Sequence, residues 1–168
     1  MPKSSFFIRA QLDVPNTNAF AQDTIPLGSY VDALGQAVLR VHNVEYEWNN
    51  STGQAPEMDA NTAGPATFQI TTQSQSDIVT LFDKSTLAKC MLWARNPDSS
   101  GNPPAQTYND SHAPQHFSNG YLVAVETLYL GGKCGTDWSD NMQVNVVMEC
   151  TVEKMSREAA MALSLSQQ

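Results

Sequence analysis

Positive charge is scarce in this sequence. Nine Lys and Arg stand against 17 Asp and Glu in 168 residues, a net charge of −8, and the nine are spread along the chain with no basic arm. A protein that neutralises many phosphates needs clustered cations, so direct nucleic-acid binding is not expected. The acidity fits solubility and mutual spacing of copies better than a specific cation site. Cysteine is also sparse. Cys90, Cys134 and Cys150 form neither a CxxC pair nor a metal-ligand spacing. An odd count without a framework suits a reducing compartment. Cys90 and Cys150 lie in apolar runs and read as small core residues, whereas Cys134, inside the Gly-rich "GGKCG", reads as an exposed thiol in a turn. Long hydrophobic runs are missing as well. No window approaches the roughly 20 apolar residues of a membrane span, so no transmembrane segment is expected, and peripheral membrane contact stays open. The opening "MPKSSFFIRAQLDV" has too short an apolar run for a secretory signal, so secretion by that route is not expected. The sequons at Asn49, Asn50 and Asn109 then carry no weight.

What the sequence has is alternation. A chain of 168 residues can form one domain with a sizeable core. Phe6, Ile8, Ala10, Leu12 and Val14 alternate with Phe7, Arg9, Gln11 and Asp13, the period of a half-buried strand, which Pro15-Asn16 ends. A short strand is expected at 27–31, with Gly28 and Gly35 as bends. "VLRVHNVEYEWNN", residues 38–50, reads as a long strand that changes parity: Leu39 and Val41 share one face, then Val44, Tyr46 and Trp48 continue on the other count. The two polar residues between, His42 and Asn43, read as a β-bulge, whose extra residue returns the apolar face to the core. A break into two strands and a ligand role for His42 are the alternatives.

Further along, Ala66, Phe68, Ile70 and Thr72 give another strand. "SDIVTLFDKSTLAKCMLWAR" is read as a short strand around Ile78, Leu81 and Phe82 followed by a fully buried one, although the first three also fit a helical turn. Segment 96–119 contains four prolines and almost no aliphatic residues, and is expected to be a long functional or interaction loop. Then come two long strands. Tyr121, Val123, Val125, Thr127 and Tyr129 share a face in the first, and Val144, Val146, Met148, Cys150 and Val152 in the second, with "GGKCGTDWSDN" expected to join them as a hairpin. The tail "SREAAMALSLSQQ" reads as a helix with Ser156 as N-cap and Glu158 in its first turn. It is marginal alone and should dock on the domain or on a neighbouring subunit.

The chemical motifs are thin, and no catalytic, cofactor-binding or metal-ligating residue is assigned. His112 and His116 have a His-x3-His spacing with Cys134 as the only tempting further ligand, but Pro114 between them spoils the helical geometry a metal pair needs. Asp110, Ser111 and His112 are triad residue types, yet adjacent residues do not converge as a triad. A cupin-type centre would need clustered histidines on neighbouring strands, and only His42 lies in an expected strand. Trp48, Trp93, Trp138 and Tyr108 are candidates for stacking on sugars, although such aromatics more often fill cores. No enzyme activity and no cofactor are expected.

These elements point to an all-β, single-domain antiparallel β-sandwich, an eight-stranded jelly roll with a short C-terminal helix. Residues 1–155 form the sandwich, including the long loop 96–119, and 156–168 the helical tail. In layout, "SFFIRAQLDV" near the start, the slipped "VLRVHNVEYEW", and the closing "YLVAVETLYLGG" and "VNVVMECTVEKMSREAAMALSLSQQ" together resemble the small single jelly-roll major capsid proteins of tailless icosahedral viruses of archaea and bacteria. The resemblance covers most of the chain and implies a structural, self-assembling shell protein. Its partner would be itself, as a homo-oligomeric capsomer or shell, with or without a second capsid protein. It would reside in the virion after assembly in the host cytoplasm. The missing basic arm departs from capsid proteins that package nucleic acid directly. The alternative is a soluble β-sandwich module that binds carbohydrate or protein.

Overall fold

Nine strands build two antiparallel sheets in the computed structural model, which describes residues 4–32, 36–97, 99 and 106–168, the side chains of 106–108 excepted. The strands are β1 (Phe6–Val14), β2 (Ala21–Pro26), β3 (Ala37–Asn50), β4 (Ala63–Thr71), β5 (Thr86–Arg95), β6 (Gln106–His112), β7 (Tyr121–Val123), β8 (Thr127–Cys134) and β9 (Met142–Lys154), followed by α1 (Arg157–Ser166). One sheet has the order β1-β9-β3-β7, the other β2-β8-β4-β5-β6. The pairings are nested: β1 with β9, β2 with β8, β3 with β7, β4 with β5, alternately in one sheet and the other. A chain folded back on itself and wrapped across two sheets in this way is a jelly roll. Eight strands make up this nested roll, not all of them where the sequence places them, and β6 is an added edge strand inside the segment read as a loop.

The core lies between the sheets. Val14, Leu39, Val41, Phe68, Ile70, Leu128, Leu130, Val144 and Met148 are fully buried there. Each such side chain stabilises the fold by about 1.5–3 kcal/mol through burial. The expected β-bulge is in β3. Val41 pairs with Cys150 but Asn43 with Glu149, leaving His42 as the extra residue. Before it Leu39 and Val41 face the core; after it Val44 does, while half-buried Tyr46 and Trp48 lie with ring centroids 4.9 and 6.0 Å from Phe68.

Two neighbours seal the wall at this point. Strand β7 covers only Leu39, Arg40 and Val41, so the edge of β3 loses its partner beyond the bulge. There the Gln115 amide takes the place of a strand: its Oε1 accepts from Val44 N at 3.0 Å and its Nε2 donates to Val44 O at 3.0 Å. Gly120 leads into β7 with φ +61°, and a Cβ there would lie 2.4 Å from Val41 O, so only glycine fits this crossing.

Several expectations are corrected. The strand foreseen at 27–31 is a turn, in which Tyr30 N and Val31 N donate to Leu27 O, while Leu27 and Val31 plug the core. The strand is instead β2, where Ile25 alone is buried, so its alternation is invisible. Gly35 lies outside the described residues. Ile78, Leu81 and Phe82 belong to no strand, and β5 is buried through Cys90 but exposes Met91 and Trp93. The apolar run from Tyr121 to Tyr129 divides into β7 and β8, in different sheets, because the chain crosses the sandwich at 124–126. "GGKC" continues β8 and makes no hairpin with β9. Gly132 is required there by close packing, since a Cβ would lie 2.6 Å from Val14 Cγ2. Cys134 is buried rather than exposed, its thiol donating to Pro15 O at 3.3 Å. The following crossover buries Trp138, whose Nε1 donates to Pro65 O at 3.1 Å.

The tail docks on its own domain. Ser156 Oγ accepts from Ala159 N at 3.3 Å as the N-cap, and Glu158 sits in the first turn. Ala160 closes a small second core with Val38 and Ala124. Buried Gln167 accepts from Ala124 N at 2.9 Å and donates to Leu122 O at 2.6 Å, and its own carbonyl accepts from Thr72 Oγ1 at 2.9 Å. Among the described residues no helix is long and apolar enough to cross a membrane.

Replacing Gln115 by Ala leaves two backbone groups of Val44 without partners. It is expected to cost about 1–3 kcal/mol in urea unfolding, with an unchanged m-value.

Candidate interaction surface

The outer faces of the two sheets differ. On the four-stranded sheet, polar side chains tie neighbouring strands together: Gln143 to Gln11 and Asp13, Asn43 to Glu149, and Arg40 to Glu153 through two bonds of 2.9 and 3.0 Å. Arg40 also donates to Asn119 O. His42 belongs to this face, with Nε2 3.0 Å from Thr151 Oγ1.

On the five-stranded sheet, segment 72–85 lies back across the strands and is fixed from below. Gln69, fully buried, donates to Asp77 O at 3.2 Å and accepts from Val79 N at 2.8 Å. Lys89 Nζ donates to Val79 O at 2.5 Å, and burial holds that ammonium below the usual lysine range. Lys133 pairs with Asp77 at 3.0 Å, and its hydrogen bonds hold the Asp77 carboxyl below the usual range. The tip is locked separately. Asp83 N donates to Thr80 O at 3.0 Å and Thr86 N to Asp83 O at 3.1 Å. Ser85 donates from N and Oγ to Asp83 Oδ1 at 2.9 and 2.7 Å, which keeps the Asp83 carboxyl below the usual range.

This fixed turn presents Leu81 and Phe82 outward, Phe82 at 97% exposure. Beside it runs a groove of about 550 Å³ whose lining includes Leu81, Leu87, His112, Phe117 and Tyr121. Phe117, on its wall, is 63% exposed. A smaller depression of about 240 Å³ continues it, with Leu81 and His112 shared and Lys89, Met91 and Asp110 added. Contiguous exposed apolar surface of this kind marks interaction sites.

The residues weighed from sequence fall into place around this surface or away from it. His112 ends β6 at the groove, 3.8 Å from Asp110, while His116 Nδ1 accepts from Ala113 N at 3.4 Å in the 3-10 turn of Pro114–His116. Cys134 is in the interior, so these three do not converge. Of the aromatics, Trp138 is buried, Trp48 half-buried and Trp93 44% exposed, whereas the Tyr108 side chain lies outside the described residues. Segment 96–119, expected to be a functional or interaction loop, supplies His112, Phe117, Ser118 and Asn119 to the groove, whereas sequence reasoning missed the 72–85 turn. The signal was the pair Leu81-Phe82 between Thr80 and Asp83, but Gln69, Lys89 and Lys133, on other strands, fix the segment that carries it.

No family model matches this chain, and no curated protein does. Among solved structures it is similar to a chain of Desmodium yellow mottle tymovirus, at 10% identity over 93% of each chain and with a TM-score of 0.32.

The three thiols are free and buried. Burial pushes Cys134 up to about 11 and Cys150 up to about 12. Between the ordinary thiol pKa of about 9 and these values, the unfolded chain releases protons that the folded chain keeps, so stability falls as pH rises through that window. A thiol-reactive chromogenic disulfide at pH 8 is expected to leave all three unmodified in the native protein and to titrate three in denaturant.

Proposed function

We propose that this chain is a structural, self-assembling protein, a subunit of a viral shell without catalytic activity. The observation that supports it most is the exposed Phe82 on a turn fixed by hydrogen bonds and by Gln69, Lys89 and Lys133. An apolar anchor held rigid loses little conformational freedom on association, and aromatic anchors of this kind concentrate binding energy. The jelly-roll architecture hosts capsid, lectin and cupin functions alike, so the fold alone does not choose among them. Its interior here is filled by Phe68, Leu39, Met148 and Trp138, which leaves the outer surface to carry function.

At finer grain, the reading is a small single jelly-roll major capsid protein of a tailless icosahedral virus of archaea or bacteria, on the layout resemblance of the sequence. Its partner is a further copy of itself, with or without a second capsid protein, and its place is the virion. Exposed Trp93 favours a second reading, a β-sandwich binding module for carbohydrate.

Sedimentation and negative-stain electron microscopy of the purified protein across a concentration series separate the two. Concentration-dependent oligomers or closed particles are expected. A strictly monomeric protein at millimolar concentration, with glycan-array binding lost in Trp93→Ala, would favour the module instead.

A further inference from the structure

We infer that Phe82 of one copy seats in the groove beside Leu81 and Phe117 of a second copy, and that the contact is reciprocal about a two-fold axis. This names the contact behind the self-assembly proposed above and rests on that reading.

The knob and the hole are both built features. The knob is a phenyl ring 97% exposed on a turn closed by bonds from Asp83, Ser85 and Thr86, which fix the backbone that carries it. The hole is a groove of about 550 Å³ with apolar walls from the start of β5 and from Phe117 and Tyr121. The two are neighbours along the chain: Leu81 lines the hole, and the next residue, the knob, borders a separate depression with Lys84, Ser166 and Gln168. A patch that carries a knob next to a hole is self-complementary: under a two-fold rotation each knob meets the other copy's hole. Knob and hole on opposite sides of the molecule would instead generate rings or open filaments.

Charge supports the same occupant. Lys84 flanks the knob and is exposed, while Asp110 lines the depression that continues the hole. At a net charge of −8 two copies repel in general, so a stable pair needs opposite charges set locally against each other. The two-fold arrangement brings Lys84 of each copy toward Asp110 of the other.

The test is sedimentation velocity over a concentration series on the wild-type protein, Phe82→Ser, Ser118→Trp and an equimolar mixture of the two variants. Ser118 lines the groove and is exposed, so Trp there blocks the hole without entering the core. Phe82 touches so little of its own chain that its replacement should leave the thermal midpoint unchanged. Each variant alone is expected to weaken pairing by roughly tenfold or more. The mixture is expected to recover part of it, because the intact Phe82 of Ser118→Trp can enter the intact groove of Phe82→Ser. Wild-type-like association of Phe82→Ser would overturn the contact and leave self-assembly standing. A wild-type protein that stays monomeric throughout would remove both. Lack of recovery in the mixture would overturn the knob-and-hole geometry. Binding of monomeric wild-type protein to phosphatidylcholine vesicles, lost in Phe82→Ser, would overturn it in favour of a lipid surface.

Discussion

One extra residue in the longest strand is the constraint on which the rest of this structure depends. Strand β3 spans Ala37–Asn50 and pairs with β9 along nearly its whole length. The apolar residues of β3 change parity along its length, so they can all face the core only if something resets the count. His42 resets it. Without the reset, Leu39 and Val41 would face the core and Val44, Tyr46 and Trp48 would face solvent, or the reverse. The bulge costs a local break in the ladder, and the Gln115 amide repairs the edge immediately beyond it.

The same logic of repair from distant sequence shapes the surface. The five-stranded sheet would carry Gln69 and Lys89 outward on β4 and β5, where both would be solvated. Instead segment 72–85 crosses over them, and each satisfies backbone groups of that segment. A buried amide and a buried ammonium are expensive unless bonded, so their bonding fixes the path of the overlying chain. That path delivers Phe82 to solvent on a backbone with little freedom. The outer face of the other sheet is cross-linked by Gln143, Asn43 and Arg40, and its aromatic, Phe7, is 56% exposed against 97% for Phe82.

How much of this was readable in advance depends on how local the cause is. Strands β1, β3, β4 and β9 alternate cleanly because each has one face on the core, and His42-Asn43 announces the bulge by shifting that alternation. Ser156 announces α1 because a cap acts within one turn. Strand β2 was hidden because it buries Ile25 alone. The division of 121–129 between two sheets was hidden because Ala124 and Val125 are as apolar as the strands around them, so no change in pattern marks the crossing. Cys134 was misplaced because Gly131 and Gly132 signify close packing against Phe20 and Val14 rather than a turn. The interaction surface was the least legible, since exposure of Leu81 and Phe82 is decided by contacts with residues on other strands.

Cross-strand nuclear Overhauser effects measure the register shift in β3 directly. The bulge places Val41 opposite Cys150 and Val44 opposite Met148. Backbone contacts between Val44 and Met148, together with an amide of Val44 protected from exchange by Gln115, are the predicted result. Contacts between Val44 and Val147, as an uninterrupted ladder running on from Val41 and Cys150 would give, would contradict the account.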